Sequence, residues 1–517
     1  MSNTADRGRN QPPVLQLNPA DPLVVATRDL KPGEAVGLGD LTPSEAIGRG
    51  HKMATKSIAG GEPVRKLGQI IGIATKPIAP GQHIHVHNVE FRPSQADHGI
   101  GAHRSNLPMI PEKQAATFQG IVRPDGTVAT RNYIGVLTTV NCSATVARMV
   151  SDHFRMHPAE LENYPNVDGV VALTHKDGCA GGTESEGAKL LRRTIGGYAK
   201  HANFGAVLVI GLGCEANQLP RLVTEEGLKT GQRIQTLVMQ EVGGTRKTVA
   251  AAIERIRELL PAVNAVKRET VPAKHLILGL QCGGSDGFSA VTANPALGVA
   301  ADLLVQNGGT AILSETPEIY GAEHMLLGRA VSDEVGHKLL DLLKWWEVYA
   351  AKNGESLDNN PSPGNKAGGL TTILEKSLGA AAKGGHADLV DVYRFAEPVT
   401  KHGFVFMDTP GYDPVAVTGQ VAGGANMIAF TTGRGSCFGC KPSPSIKLAT
   451  NTPMYSRMVE DMDINCGEIM DGAASVEEMG ERIFKLLLET ASGTPSKSEA
   501  LGYGEDEFAP WHLGATL

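Results

Sequence analysis

A chain of 517 residues is too long for one hydrophobic core and is expected to divide into two or three domains. A formal net charge of −7 leaves no Lys/Arg stripe to neutralise a run of phosphates, which argues against nucleic acid as the partner. No apolar run nears the roughly 20 residues of a membrane helix, and Met1 to Pro13 lacks a signal segment, so a cytoplasmic chain whose seven cysteines form no disulfides is expected.

Residues 1–20 read as a polar tail, and 21–92 as a small β module. Within that module a half-repeat recurs: Leu30-Lys31-Pro32-Gly33-Glu34, Ile58-Ala59-Gly60-Gly61-Glu62 and Ile78-Ala79-Pro80-Gly81-Gln82. Each is an apolar residue, a turn, and a polar residue entering a strand. Residues 93–119 read as a linker. From Gly120 strands alternate with helical segments, the pattern of a mostly parallel α/β sheet. The expected strands are Tyr133–Val140, Gly169–Thr174, Ala206–Leu212, His275–Gln281, Thr310–Glu315, Gly403–Asp408 and Met427–Thr432. The expected helices are Ala144–His153, Thr183–Arg193, Thr245–Leu260, Glu334–Ala351 and Ser475–Ser492. A Pro-bearing joint at Arg268–Lys274 divides 120–270 from 271–500 as two α/β domains, and 501–517 is left as a C-terminal tail.

Four cysteines fall just past expected strands: Cys142, Cys179, Cys214 and Cys282. The carboxyl ends of parallel strands share one edge, where ligands bind, so four thiols there are candidates for iron or an iron–sulfur cluster. Burial as small hydrophobes is the competing account. Cys437, Cys440 and Cys466 are taken as structural, because Lys441-Pro442 cannot open the helix that a redox CxxC needs.

His83-Ile84-His85-Val86-His87 alternates at the strand period, which would set three imidazoles on one face, with His51 as a fourth from the same module. His85 and His87 are the metal candidates from that face. Among the polar loops, Asn365, Lys366, Arg434 and Asp286 offer amide, cationic and carboxylate groups suited to a hydroxylated carboxylate ligand. No Walker loop or dinucleotide fingerprint accompanies them.

Gly50-His51-Lys52, His85-Val86-His87-Asn88, Gly211-Leu212-Gly213-Cys214-Glu215, Cys282-Gly283-Gly284-Ser285-Asp286, Thr292-Ala293-Asn294-Pro295, Asn360 to Lys366 and Thr432-Gly433-Arg434-Gly435 occur in that order. Together they resemble the altronate/galactarate dehydratase family over about Asp21 to Gly493. The resemblance implies an SAF-type β-clip module followed by two α/β domains. It implies a cytoplasmic hydro-lyase that converts an aldonic or aldaric acid, D-altronate above all, to a 2-keto-3-deoxy acid. Ferrous iron is the implied cofactor, with manganese as a substitute and an iron–sulfur cluster as the alternative form. A galactarate dehydratase and a sulfolactate sulfo-lyase are the nearest alternative activities. A thiol-redox protein using Cys437 and Cys440 and a sugar-acid-binding regulator are the rivals from other classes.

Such a reaction removes a proton beside a carboxylate, so it needs a base in hydrogen-bond reach and an acid at the departing hydroxyl. His51, His175 and Lys176 are the candidates for those roles. Asp286, Asn365, Lys366 and Arg434 are the candidates for holding the substrate. The small module is expected to deliver its histidines to the active site, while a chain starting near Gly120 keeps a core of its own. A small-molecule sugar acid is the expected partner, with no membrane partner and a homodimer as the open alternative to a monomer.

Overall fold

A computed structural model describes residues 12–92 and 99–514. The expected N-terminal tail and the start of the linker therefore fall partly outside the described residues. In the small module the three half-repeats become three turns, with Gly33, Gly61 and Gly81 at φ +74°, +88° and +85°. In the second and third, the polar residue folds back to cap the turn: Ala59 N donates to Glu62 (2.8 Å) and Ala79 N to Gln82 (2.8 Å). Leu30 bridges to Ile47 and Ile58 to Ile78, so the apolar residue of each repeat packs inward. Two small antiparallel sheets result, of four and three strands.

The linker from Gly99 onward lies along the C-terminal domain. Gly101 N bonds Leu327 O, and Ile110 N bonds Gln306 O. The strands Thr117–Val122 and Glu269–Pro272 then pair antiparallel, so the chain enters and leaves the middle domain at one place. That domain carries a four-stranded parallel sheet in the order Gly169–Leu173, Tyr133–Thr138, Phe204–Gly211, Ile234–Val238. Helices Ala144–Met156 and Thr245–Asn264 lie against one face, and Glu186–Lys200 packs on the other.

The C-terminal domain holds a seven-stranded sheet, all parallel, in the order Leu389–Tyr393, Gly403–Met407, Thr310–Leu313, Ile277–Cys282, Met427–Thr432, Ser445–Ala449, Ile464–Asn465. From Ile277–Cys282 the chain builds outward to one edge, then returns to the other side with Met427–Thr432. Those two neighbours are the switch point of the sheet, where a crevice opens at the carboxyl ends.

All seven expected strands and all five expected helices are present, with shifted ends. Several strands escaped the sequence reading, among them Ile234–Val238, Leu389–Tyr393 and Ser445–Ala449, besides the short pairs around Thr117–Val122 and Glu269–Pro272. So did the helix Ala293–Gln306, which has ten buried positions around its circumference and so no polar face to give it a period. The C-terminal segment is not a loose tail. Phe508 and Trp511 are buried, and Trp511 stacks on Trp346 with centroids 5.4 Å apart.

Candidate active site at the seam of the small module and the C-terminal sheet

Three loops meet at the switch point, and Asp286 ties them. Its buried carboxylate accepts from Phe288 N (3.1 Å), Ser289 Oγ (3.1 Å), Thr450 Oγ1 (3.0 Å) and Asn451 Nδ2 (3.1 Å). A Cβ on Gly433 would stand 2.2 Å from that carboxyl group, so this position admits only glycine. Asp286, assigned to the substrate from sequence, is thus committed to the protein. Asn365 is committed as well: it closes a capping box with Ser362, and its Nδ2 donates to Ser285 O at 2.9 Å. Arg434 and Lys366 differ from both. Arg434 is exposed and Lys366 half-buried, and among the described residues neither is spent on a protein partner.

The small module docks on these loops through Gly50-His51-Lys52. A Cβ on Gly287 would come within 2.1 Å of Gly50 O, and one on Gly369 within 2.4 Å. Backbone therefore passes backbone with no side chain between. Beneath the contact, Lys52 and Lys66 both reach Glu375 at 2.8 Å, and all three are buried. Burial pushes the Lys52 ammonium down to about 8. Burial alone would raise the Glu375 carboxyl, but the two ammonium groups hold it well below the usual carboxylate range. Arg49 spans the joint, donating to Thr27 O (3.0 Å) and Asn451 Oδ1 (3.3 Å).

At this seam His51, His83 and His85 come together, with one ring nitrogen of each within 4.8 Å of the others. His51 Nδ1 faces His83 Nε2 at 2.9 Å, while His51 Nε2 stands 3.2 Å from Ala367 O. If His51 donates from Nε2 to that carbonyl, its Nδ1 presents a lone pair towards His83. Two nitrogens bound to one ion at ~2.1 Å each stand roughly 3 Å apart, close to the spacing seen. His85 Nδ1 is buried and has no hydrogen-bond partner among the described residues. Burial first, then neighbouring positive charge, pushes His83 down to about 3 and His85 to about 4, so both rings are neutral near pH 7. Neutral imidazoles with an unpartnered buried nitrogen are a donor set that suits a divalent transition metal, Fe²⁺ among them.

The alternation ends sooner than the sequence pattern implies. Only His83–Ile84 is strand; the chain then turns, with His85 N donating to Asn88 Oδ1 at 2.9 Å. His87, a metal candidate from sequence, is consequently exposed, its ring 5.5 Å from that of His83 and outside the three. His51, a catalytic candidate, takes its place in the group.

The four cysteines do not share one edge, because two sheets are involved. Cys142, Cys179 and Cys214 follow three adjacent strands of the middle sheet; Cys282 ends a strand of the C-terminal sheet. There Lys383 Nζ lies 2.9 Å from Cys282 Sγ and 3.5 Å from Glu315, which sits at φ +70°. Glu318 pairs with Lys376 at 2.7 Å and accepts from Asn360 Nδ2 at 2.8 Å. Cys282, Glu315 and Glu318 are spaced to hold a cation, and the Lys383 ammonium supplies one from the protein. Burial pushes the Cys282 thiol up to about 12. Sequence reasoning missed Glu315, Glu318 and Lys383. Glu315 closes the expected strand Thr310–Glu315, whose observed part ends at Leu313, and was open to the same argument as Cys282.

His175 and Lys176 lie on the middle domain. His175 is buried with both nitrogens engaged, Nε2 with Thr138 O at 2.9 Å and Nδ1 with Asp177 N at 3.2 Å, which makes it a loop anchor and not a base. Lys176 lines a cleft beside Cys179. Cys440 and Cys466 are buried, and Cys437 is exposed.

A small β module seated over the switch point of a parallel sheet, with imidazoles and uncommitted cations at the joint, defines a ligand-binding seam in a three-part α/β protein. The family models agree along the chain. Residues 12–92 match the altronate/galactarate dehydratase SAF domain, 120–264 the second domain of D-galactarate dehydratase/altronate hydrolase, and 273–516 the C-terminal domain of D-galactarate/altronate dehydratase. The chain is 35% identical to altronate dehydratase of Bacillus subtilis (strain 168), over 97% of this chain and 99% of that one. It is 38% identical to galactarate dehydratase (L-threo-forming) of Escherichia coli (strain K12), over 86% and 85%. It is 31% identical to the (2R)-sulfolactate sulfo-lyase subunit beta of Chromohalobacter salexigens, over 76% and 97%. The chain belongs to the altronate/galactarate dehydratase family and is a hydro-lyase acting on a sugar acid.

Proposed function

We propose that this hydro-lyase is a cytoplasmic, metal-dependent dehydratase that converts D-altronate, or a close aldonic acid, to the 2-keto-3-deoxy acid and water. The observation that carries the metal is the trio His51, His83 and His85, with the His85 Nδ1 atom buried and unpartnered among the described residues. These residues would hold ferrous iron, with manganese as its substitute. When bound, the ion supplies Lewis acidity towards a carboxylate and an adjacent hydroxyl.

The chain's own groups do the rest. Arg434 offers a planar fork to a carboxylate, and Lys366 a point charge to the distal hydroxyls. Asp286 and Asn365 hold the loops that carry them. His87, exposed beside His83, takes the proton from C2 and returns it to the departing C3 hydroxyl, which leaves as water as the C2–C3 double bond forms. The docked module shields one side of the seam from water, which strengthens every charge interaction there. Altronate is favoured over galactarate because the altronate dehydratase relatives align over nearly the whole chain.

The test is anaerobic purification, iron loading, and a screen of D-altronate, galactarate and sulfolactate. A keto-deoxy acid from altronate that disappears with chelator is expected. Turnover of galactarate alone would reassign the substrate, sulfite from sulfolactate would change the leaving group, and chelator-resistant turnover would remove the metal.

A further inference from the structure

We propose that Cys142, Cys179 and Cys214 form a second metal centre, a three-thiolate site for a thiophilic ion or an iron–sulfur cluster, on the carboxyl edge of the middle sheet. It is distinct from the histidine seam, and nothing in the dehydration proposed above requires it.

The topology brings the three together. The strand before Cys142 is central, with the strand before Cys179 on one side and the strand before Cys214 on the other, both parallel to it. All three loops therefore leave the same edge, and they are laced to one another. Asn141 N donates to Asp177 O (3.0 Å), Ala216 N to Cys179 O (3.1 Å), and Asn217 N to Gly178 O (3.1 Å). Asn217 Nδ2 reaches Thr139 O at 2.9 Å. Gly178, at φ +94°, passes so close that a Cβ would stand 2.3 Å from Thr139 O, so the Cys179 loop lies directly on the Cys142 loop. Buried Glu215 pins the Cys214 turn, accepting from Thr139 Oγ1 (2.7 Å) and Leu212 N (3.1 Å). His175 anchors the Cys179 loop from below.

The result is a rigid, buried scaffold presenting exposed sulfurs. The Cys142 thiol lies near enough to Cys179 and Cys214 to feel both electrostatically. Cys214 Sγ also accepts from Gln240 Nε2 at 3.3 Å. Burial as small hydrophobes explains Cys440 and Cys466 but not these three. Three thiolates held together repel one another, and a soft cation between them removes that cost. Three protein ligands leave a coordination position open. Beside it, Cys179 lines a cleft of about 320 Å³ together with Lys176, Asn217 and His512, where a small anion would meet a lysine.

The experiment uses the full chain, purified without oxygen and assayed for iron and labile sulfide, then stripped with chelator and titrated with cobalt(II). Iron with labile sulfide identifies a cluster; a thiolate-to-cobalt absorption without sulfide identifies a single ion. Either signal should vanish in each of Cys142→Ser, Cys179→Ser and Cys214→Ser and survive in Cys437→Ser. It should also survive in the triple variant His51→Ala/His83→Ala/His85→Ala, which separates this centre from the seam. Cobalt binding by the unaltered chain keeps the test decisive if a serine variant folds poorly. Sulfide-free protein whose three thiols react at once with a thiol reagent under excess cobalt, with no thiolate absorption, overturns the proposal. That result leaves the seam untouched, since iron loss in the triple-histidine variant reports on it independently.

Discussion

At the scale of single residues, the seam separates ligands from scaffold by what each side chain is already bonded to. Among the described residues His85 Nδ1 has no protein partner, whereas the Asp286 carboxylate accepts from two loops. His83→Ala or His85→Ala should therefore lower iron affinity roughly 100-fold or more, above what altering an outer partner costs. Stability should shift by less than about 1 kcal/mol, since these rings are only half-buried. Metal analysis beside thermal unfolding checks both, and full iron content in both variants would move the metal elsewhere.

His201 is a residue of the opposite kind. It is buried, bonded through Nε2 to Ala425 O at 3.1 Å, and burial pushes its pKa down to about 4. The folded state thus favours the neutral ring, while the unfolded chain takes up its proton near pH 6.5. Its contribution is complete above pH 6.5 and is lost as pH falls towards 4, amounting to about 2 kcal/mol by pH 5. Urea unfolding of the wild type and His201→Gln at pH 7 and pH 5 should show the variant losing less stability on acidification. Equal losses would assign the acid sensitivity to other groups.

At the scale of elements, glycines set how closely two pieces approach. Gly287 admits Gly50 O, and Gly197, in the helix Glu186–Lys200, admits Ala422 O from the helix Asp413–Ala422. A methyl group at either site clashes with backbone, which costs about 1–3 kcal/mol. The functional outcomes should diverge. Gly287→Ala should push the Gly50-His51 segment away and reduce iron content and turnover at permissive temperature. Gly197→Ala should lower the unfolding temperature but keep iron stoichiometry. Equal iron content in the two variants would show that the docking contact does not position His51.

Also at this scale, the half-repeat of the small module was legible because each unit encodes its own turn, with glycine at positive φ and a polar residue folding back. The helix Ala293–Gln306 was not, since a helix apolar on all sides has no period. Nor was the strand Ser445–Ala449, whose Lys447 is buried only because Phe438 O and Tyr503 accept its ammonium at 2.9 and 2.6 Å. No local pattern announces partners that distant.

For the whole molecule, the module and the C-terminal domain share one core. Leu23, Ile58 and Ile84 belong to the same apolar cluster as Leu278, Leu297 and Phe404. Removing residues 1–92 would expose that apolar face to water and strip Glu375 of Lys52 and Lys66. A chain starting at Gly99 should thus aggregate or melt well below the full chain, which revises the sequence-based expectation that the α/β part stands alone. Circular dichroism and light scattering of that chain test this, and a wild-type unfolding temperature would refute it. Glu375→Gln in the full chain should give a milder form, with the docked module cleaved faster by protease.

The sequence by itself determined the two α/β domains, seven of their strands, the turns of the small module and the residue types at strand ends. These follow from periodicity and turn chemistry, which act over a few residues. Only the tertiary structure decided which strand ends are neighbours. Strand pairing and helix packing across 33 and 101 residues placed Cys282 with Glu315 and Lys383, apart from the other three thiols. Docking of one module on another brought His51 to His83 and His85 and left His87 outside. The same histidine is a ligand or a surface ring according to where the backbone turns, and that turn is fixed by contacts no short pattern records.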